Sequence, residues 1–207
     1  MVRKTKEEAE RTRQQIIEAA RRTFHQCGVS RTSLEKIAAA AGVTRGAVYW
    51  HFADKAALFF AMRDTSLPAV DQADVFLLSE NIANPLDAIE QSMLSFFDTL
   101  ANCDEVRETF EIMYLRCEYV DEFAPVLHEI NKPCHDFLAK LKLAYQRALD
   151  LGCMRCGLEP DAMALDSISF VGGLFNNWLS SQPGSELREK VPAMIRTHIA
   201  LRRAASR

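Results

Sequence analysis

Arg45, Tyr49, Trp50 and His51 fall within seven residues, in the run Gly42–Phe52 (GVTRGAVYWHF). A histidine beside a phenol and a guanidinium is material for a catalytic site. The same side chains on a short helix are material for reading nucleic acid, through hydrogen bonds to base edges and phosphates. A second grouping, Cys153-Met-Arg-Cys156, has the CxxC spacing that raises zinc binding or thiol redox chemistry. Zinc requires a further ligand pair, and none follows; His128, Cys134 and His135 share one predicted helix without a zinc arrangement. The expectation is no metal and no cofactor, with thiol sensing as the alternative for the pair. A third grouping, Arg107, Glu111, Tyr114 and Glu118, alternates in charge along one predicted helix. It is either a salt-bridged solvent face or the polar wall of a ligand cavity. Enzyme chemistry finds little else: there is no nucleophile elbow, no phosphate-cradling glycine loop and no His-Glu metal motif.

The elements that must position these residues are helical. The chain has 207 residues, 48% hydrophobic and 26% charged, and can bury a sizeable core. Only eight glycines occur, and no Asn-Gly or Asp-Gly turn joins alternating apolar runs, so no hairpin is expected. Periodicity and breaks predict nine helices: about 7–27, a pair spanning 32–52, then about 55–78, 85–102, 104–121, 124–151, 160–181 and 186–204. In the first, Ile17, Ala20, Phe24 and Cys27 share a stripe, and Gly28 supplies its left-handed terminus. Thr32-Ser-Leu-Glu35 reads as a capping box with Thr32 as the cap. No apolar run approaches the roughly 18 residues of a membrane span, and the charged start MVRKTKEEAERTR has no signal-like apolar core. A cytoplasmic protein without membrane contact, its six cysteines reduced, is expected. Residues 1–55 carry eleven Lys/Arg against six Asp/Glu, whereas 56–207 carry fourteen against twenty-two. A basic head on an acidic body suits a head that meets a polyanion.

The stretch SLEKIAAAAGVTRGAVYWHF reads as two helices joined by a tight turn. Ala38 is small where the helices cross, Gly42 tolerates the positive φ of the turn, and Val43 and Val48 anchor the second helix. Arg45 and Tyr49, four residues apart, then share the face opposite Val48. Arg45 suits guanine, Gly46 allows close approach to base edges, and Tyr49, His51 and Lys55 suit phosphates. Trp50 either joins that surface or wedges between helices, and Phe52 is core. Thr32, Ser33 and Thr44, at helix starts, complete the candidate DNA contacts.

The run RTRQQIIEAARRTFHQCGVSRTSLEKIAAAAGVTRGAVYWHFADKAALF resembles the N-terminal domain of the TetR family of bacterial repressors. RKTKEEAERTR, GVTRGAVYWHF, RCEYV and NNWL are most similar to the AcrR-type repressors of multidrug efflux pumps. The resemblance implies an all-α homodimer, with a helix-turn-helix domain (1–55) and a ligand-binding and dimerisation domain (56–207). It implies a double-stranded operator, pseudo-palindromic, and a small-molecule inducer that releases it. Candidate ligand-cavity residues are Arg63, Leu67, Met93, Phe97, Phe110, Glu111, Tyr114, Glu118, Phe137 and Phe170, with charge preference open. Arg63 would repel cations unless paired with Asp64 or Glu111. The helix at 160–181 is apolar nearly all round, which predicts burial by a partner subunit. Val171, Gly173, Leu174 and Trp178, with Val191, Met194, Ile195 and His198 of the last helix, are the candidate dimer seam. The alternatives are a family member that senses one metabolite for a catabolic or biosynthetic operon, and a DNA-organising protein without a ligand.

Overall fold

The computed structural model describes residues 6–77, 79 and 82–204, with 69–74 as helical backbone alone. The first five residues of the basic start, and Leu78 at the expected end of the fourth helix, lie outside the described residues. Among the described residues nine α-helices follow in order: α1 (Lys6–Cys27), α2 (Leu34–Ala41), α3 (Arg45–His51), α4 (Lys55–Asp74), α5 (Pro85–Asn102), α6 (Asp104–Leu115), α7 (Val126–Asp150), α8 (Pro160–Ser180) and α9 (Glu186–Ala200). A short 3-10 helix, Asp121–Phe123, stands between α6 and α7. No helix among them is long and apolar enough to cross a membrane, and no three metal-binding side chains gather.

The chain divides into two compact units: one runs to Pro68 and includes Asp104–Ile130, the other holds Ala69–Cys103 and Asn131 onward. Helix α6, assigned from sequence to the C-terminal domain, therefore packs in the same unit as the helix-turn-helix. In that unit Ile16, Ile17, Ala20 and Phe24 of α1 are buried with Ile37, Val48, Phe59 and Ile112. Ser66 of α4 donates to Thr109 of α6 at 3.0 Å, both buried. A polar pair satisfied this way adds directional specificity to an otherwise apolar contact.

Three expected boundaries differ. Thr32 is not the cap of α2: its hydroxyl donates to the Gly28 carbonyl at 2.8 Å, and the residue is buried. Ser33, with extended backbone (φ −104°, ψ 160°), accepts from the Lys36 amide instead. An N-cap must be the last non-helical residue, and Thr32 is one too early. Helix α6 stops at Leu115, short of residue 121, because tertiary partners take its last carbonyls. The Tyr119 hydroxyl donates to the Met113 carbonyl at 2.7 Å, and the Val29 amide to that of Arg116 at 2.9 Å. Glu118 and Val120 consequently lie beyond the helix. Helix α9 ends at Ala200 rather than 204 because the chain turns to pair with the Gly152–Gly157 loop. Arg155 donates to the Arg202 carbonyl and Ala204 to that of Cys153, each at 2.8 Å.

In the second unit α5 packs on α8 and α9. Phe96 meets Phe175 at 5.6 Å between ring centres, and Phe97 meets Trp178 at 6.5 Å. The Arg188 guanidinium lies over Trp178, 3.9 Å from its ring centre. A buried hydrogen-bonded chain links Tyr145 to Ser167 (2.7 Å) and Ser167 to His198 (3.0 Å). These contacts cover most of the apolar circumference of α8 within its own chain. Val171, Leu174, Trp178, Val191, Ile195 and His198 are buried within their own chain. Gly173 and Met194 alone of the expected seam stand open.

Candidate nucleic-acid interface

Helix α2 ends in Gly42 at φ 67°, ψ 27°, a left-handed conformation that a β-carbon strains. There the Gly42 amide donates to the Ala39 carbonyl and the Val43 amide to that of Ala38. Thr44, extended, opens α3 by accepting from the Ala47 amide at 3.2 Å. Val48 and the C-cap Phe52 point into the core, at 0% and 4% exposure. Fixing these two inward turns the other face of α3 out. Trp50 is 72% exposed and Tyr49 45%, high values for large aromatics. Trp50 is therefore displayed and not wedged between helices. Its ring meets the edge of His51 at 4.5 Å, and His51 is half-buried.

Arg45 is held across this face. Its Nε lies 3.0 Å from the Glu35 carboxylate, its guanidinium carbon sits 5.2 Å from the Tyr49 ring centre, and Nη2 reaches the Tyr49 hydroxyl at 3.5 Å. The Tyr49 oxygen, and then the Glu35 charge, hold the guanidinium above its usual range. Glu35 is held below the usual carboxylate range by its own amide, then by the Ser33 hydroxyl and Arg45. Gly46 is exposed, and a β-carbon there would meet only Thr44 Oγ1 at 3.9 Å, an ordinary contact. Beside α3 lies an open hollow of about 580 Å³, bordered by Arg31, Ser33, Lys36, Tyr49, Asp54, Lys55 and Glu122. Asp54 caps α4 by accepting from the Ala57 amide at 2.7 Å. Lys55 is largely covered, 3.0 Å from Glu122 and 5.3 Å from the Phe123 ring centre.

Of the expected contacts, Thr44, Arg45, Gly46, Tyr49 and Trp50 share the open face. Ser33 and Lys55 border the hollow, as does Thr32 although it is buried, and His51 is half-buried. The expected ligand residues form two groups. In the first unit Arg63 pairs with Asp64 at 2.7 Å and lies over Phe60, while Glu111 meets His25 at 2.6 Å and faces Arg107 at 3.9 Å. Neither charge stands alone to receive a ligand. Leu67 and Phe110 are half-buried, Phe110 stacks on Tyr114, and Glu118 is exposed. In the second unit Met93 and Phe97 are buried, Phe137 is half-buried, and Phe170 stacks on His198 at 4.0 Å.

Residues 16–62 match the family described as "Bacterial regulatory proteins, tetR family", and residues 84–203 match "MAATS-type transcriptional repressor, C-terminal region". The chain belongs to the TetR family of transcriptional regulators. Regulators of this family are not enzymes, and DNA binding with a response to ligands is typical of them. The chain is 37% identical to the HTH-type transcriptional regulator TtgR of Pseudomonas putida, over 86% of this chain and 85% of that one. It superposes on NalD, the secondary repressor of the MexAB-OprM multidrug efflux pump in Pseudomonas aeruginosa, with a TM-score of 0.84 and 30% identity, covering 96% and 98% of the two chains. On SmeT of Stenotrophomonas maltophilia in complex with triclosan, the TM-score is 0.80 at 29% identity, covering 94% and 93%.

Sequence reasoning missed four charged residues beside the open face of α3 in this TetR-family chain: Arg31, Glu35, Lys36 and Glu122. Arg31 and Lys36 flank the Ser33 cap, a pattern visible in the sequence once the cap is placed correctly. Glu35 was assigned to the capping box, and its pairing with Arg45 follows only from how α2 and α3 cross. Glu122 carries no local signal, since 67 positions separate it from Lys55.

Proposed function

We propose that this TetR-family repressor binds a pseudo-palindromic operator as a homodimer, controls a multidrug efflux operon in the cytoplasm, and is released by apolar or aromatic small molecules. The observation that carries the DNA half is the outward face of α3, where Arg45, Tyr49 and Trp50 surround a glycine that the fold does not need. Arg45 is aimed at guanine through its two-pronged donor edge, Gly46 admits the base edges, and Thr44, Tyr49, His51, Ser33 and Lys55 face the backbone. Residues 1–55 supply this head and 56–207 the ligand-binding and dimerising body. Two heads on a twofold axis require half-sites one helical turn, or a small multiple, apart.

The efflux half is supported by the likeness to NalD and to the triclosan complex of SmeT. Aromatic and thioether side chains such as Met93, Phe97, Phe137 and Phe170 give a pliable apolar lining. The open side of α8 supports the dimer: a β-carbon on Gly172 or Gly173 would meet nothing within 4 Å, and Leu165, Met194 and Leu201 are 51%, 37% and 62% exposed. Ligand in the body favours a dimer whose heads no longer match adjacent grooves, and a coupling of ~1–3 kcal/mol suffices for such switching. The test is selection of bound genomic fragments, followed by release with triclosan, a cationic dye and an anionic aromatic. Recovery of an efflux-pump promoter and its release by triclosan is the expected result. If no compound binds below about 1 mM, only ~4 kcal/mol of affinity, the multidrug reading fails and a single-metabolite sensor replaces it.

A further inference from the structure

The segment between α6 and α7 has no part in the reading surface as the sequence outlines it, yet it delivers a carboxylate there. Asp121 has φ 49°, and among the described residues no other non-glycine has positive φ. Such a conformation costs free energy and persists where surrounding contacts impose it. Here the turn sends consecutive side chains to opposite sides. Phe123 enters the core, 4% exposed, and meets Phe59 of α4 edge-on at 5.4 Å. Glu122 goes outward, 67% exposed, with Oε1 3.0 Å from the Lys55 ammonium. The Phe123 ring also lies under that ammonium. Lys55 is thus held between an aromatic ring and a carboxylate, on the border of the hollow beside α3.

We propose that Glu122 is an internal stand-in for a DNA phosphate, and that its pairing with Lys55 sets the affinity of the head for DNA. The carboxylate occupies the position from which a phosphate oxygen would neutralise the ammonium. DNA therefore gains little from Lys55 until Glu122 is displaced. The Phe123 anchor keeps the competitor in place, since a flexible surface carboxylate would move aside at almost no cost. Both ends of residues 104–130 continue directly into the second unit.

This inference rests on the head binding DNA, so the experiment measures that first. Binding of the full chain to a random-sequence duplex is followed across a salt series for the wild type, E122Q, K55A and the double variant. Phosphate contacts are sequence-independent, so the operator need not be known. E122Q should bind about five- to tenfold tighter near 0.1 M salt, and its log affinity should fall more steeply with log salt by about 0.9, one added phosphate contact. In the K55A background the gain should vanish. E105Q, which removes an exposed carboxylate of α6 in the same unit, should bind as wild type, and unchanged melting midpoints should show all variants folded. If wild type binds and E122Q binds no tighter, or its gain survives loss of Lys55, the stand-in is overturned while the repressor reading stands. If wild type retains no DNA, both fall.

Discussion

Nothing inside the chain requires a glycine at position 46, where the backbone is helical and the space around a β-carbon is open. Glycine in a helix is less stable than alanine by up to about 1 kcal/mol, so its presence points to a surface that must come close from outside. Gly46→Ala should raise stability by a few tenths to about 1 kcal/mol in a thermal or denaturant melt, while weakening operator binding in a gel-shift assay. A variant that gains stability and keeps full affinity would show that no base edge approaches there. Arg45→Ala should lower operator affinity about tenfold to a hundredfold and relax preference at one base position per half-site, measured on single-base variants of the operator. These residues were legible because Val48 and Phe52 fix which side of α3 is buried. Thr32 and Ser33 were not distinguished, because both are cap formers and only the backbone reveals which residue is last before the helix.

At the scale of elements, α5, α8 and the turn between α2 and α3 were legible because they are bounded by local chemistry: Asn84 and Glu159 accept amides at helix starts, and Gly42 closes α2. The end of α6 was not, because residues far along the chain or beyond its terminus take its carbonyls. Of the charged stripe on α6, Glu111 meets His25 of α1, and beside it Glu108 faces Arg21 at 3.7 Å, so that side of α6 is a seam with α1. Between α8 and α9, burial and then the neighbouring Arg202 charge push the His198 imidazole down to about 4 from 6.5. A histidine whose folded value is depressed binds fewer protons in the folded state. Its contribution is complete above the unfolded value and is lost as pH falls from about 6.5 towards 4. Denaturant melts across that window should show roughly 1–2 kcal/mol less stability at the acid end, allowing for solvent screening, and a smaller change in His198→Gln. The same slope in the variant would assign the loss to other groups. Asp166, which pairs with Arg202, is the nearby charge that raises the imidazole value.

For the whole molecule, the sequence supplied the helical class, the helix count and the contrast between basic head and acidic body. It could not supply the division into units, because α6 joins the head through contacts with α1, some 80 to 100 residues away. The apolar circumference of α8 has a related explanation. Apolar residues all round a helix imply burial, and two neighbours in the same chain provide most of it. Gly173→Arg, on the open side of α8, should therefore give a folded protein that sediments as a monomer and loses operator affinity. Trp178→Asp should instead lower the melting point sharply, since a charge would replace an indole that is 3% exposed between Phe97 and Arg188. A Gly173→Arg protein that remains a dimer at low micromolar concentration would move the interface away from α8.

The two tryptophans of the chain, Trp50 and Trp178, fall one in each unit, the first facing water and the second enclosed. Nature has in effect supplied a two-colour reporter. The solvent-facing indole should emit at the longer wavelength and be quenched readily by iodide or acrylamide; the enclosed one should emit at shorter wavelength and resist both. DNA added to the protein should dim and shield the long-wavelength component alone, and a Trp50→Phe chain should lose that response without losing the other. A compound that enters the body should alter the short-wavelength component first. The order in which the two colours change after rapid mixing would then time the passage of the signal from one unit to the other, with no dye attached to either.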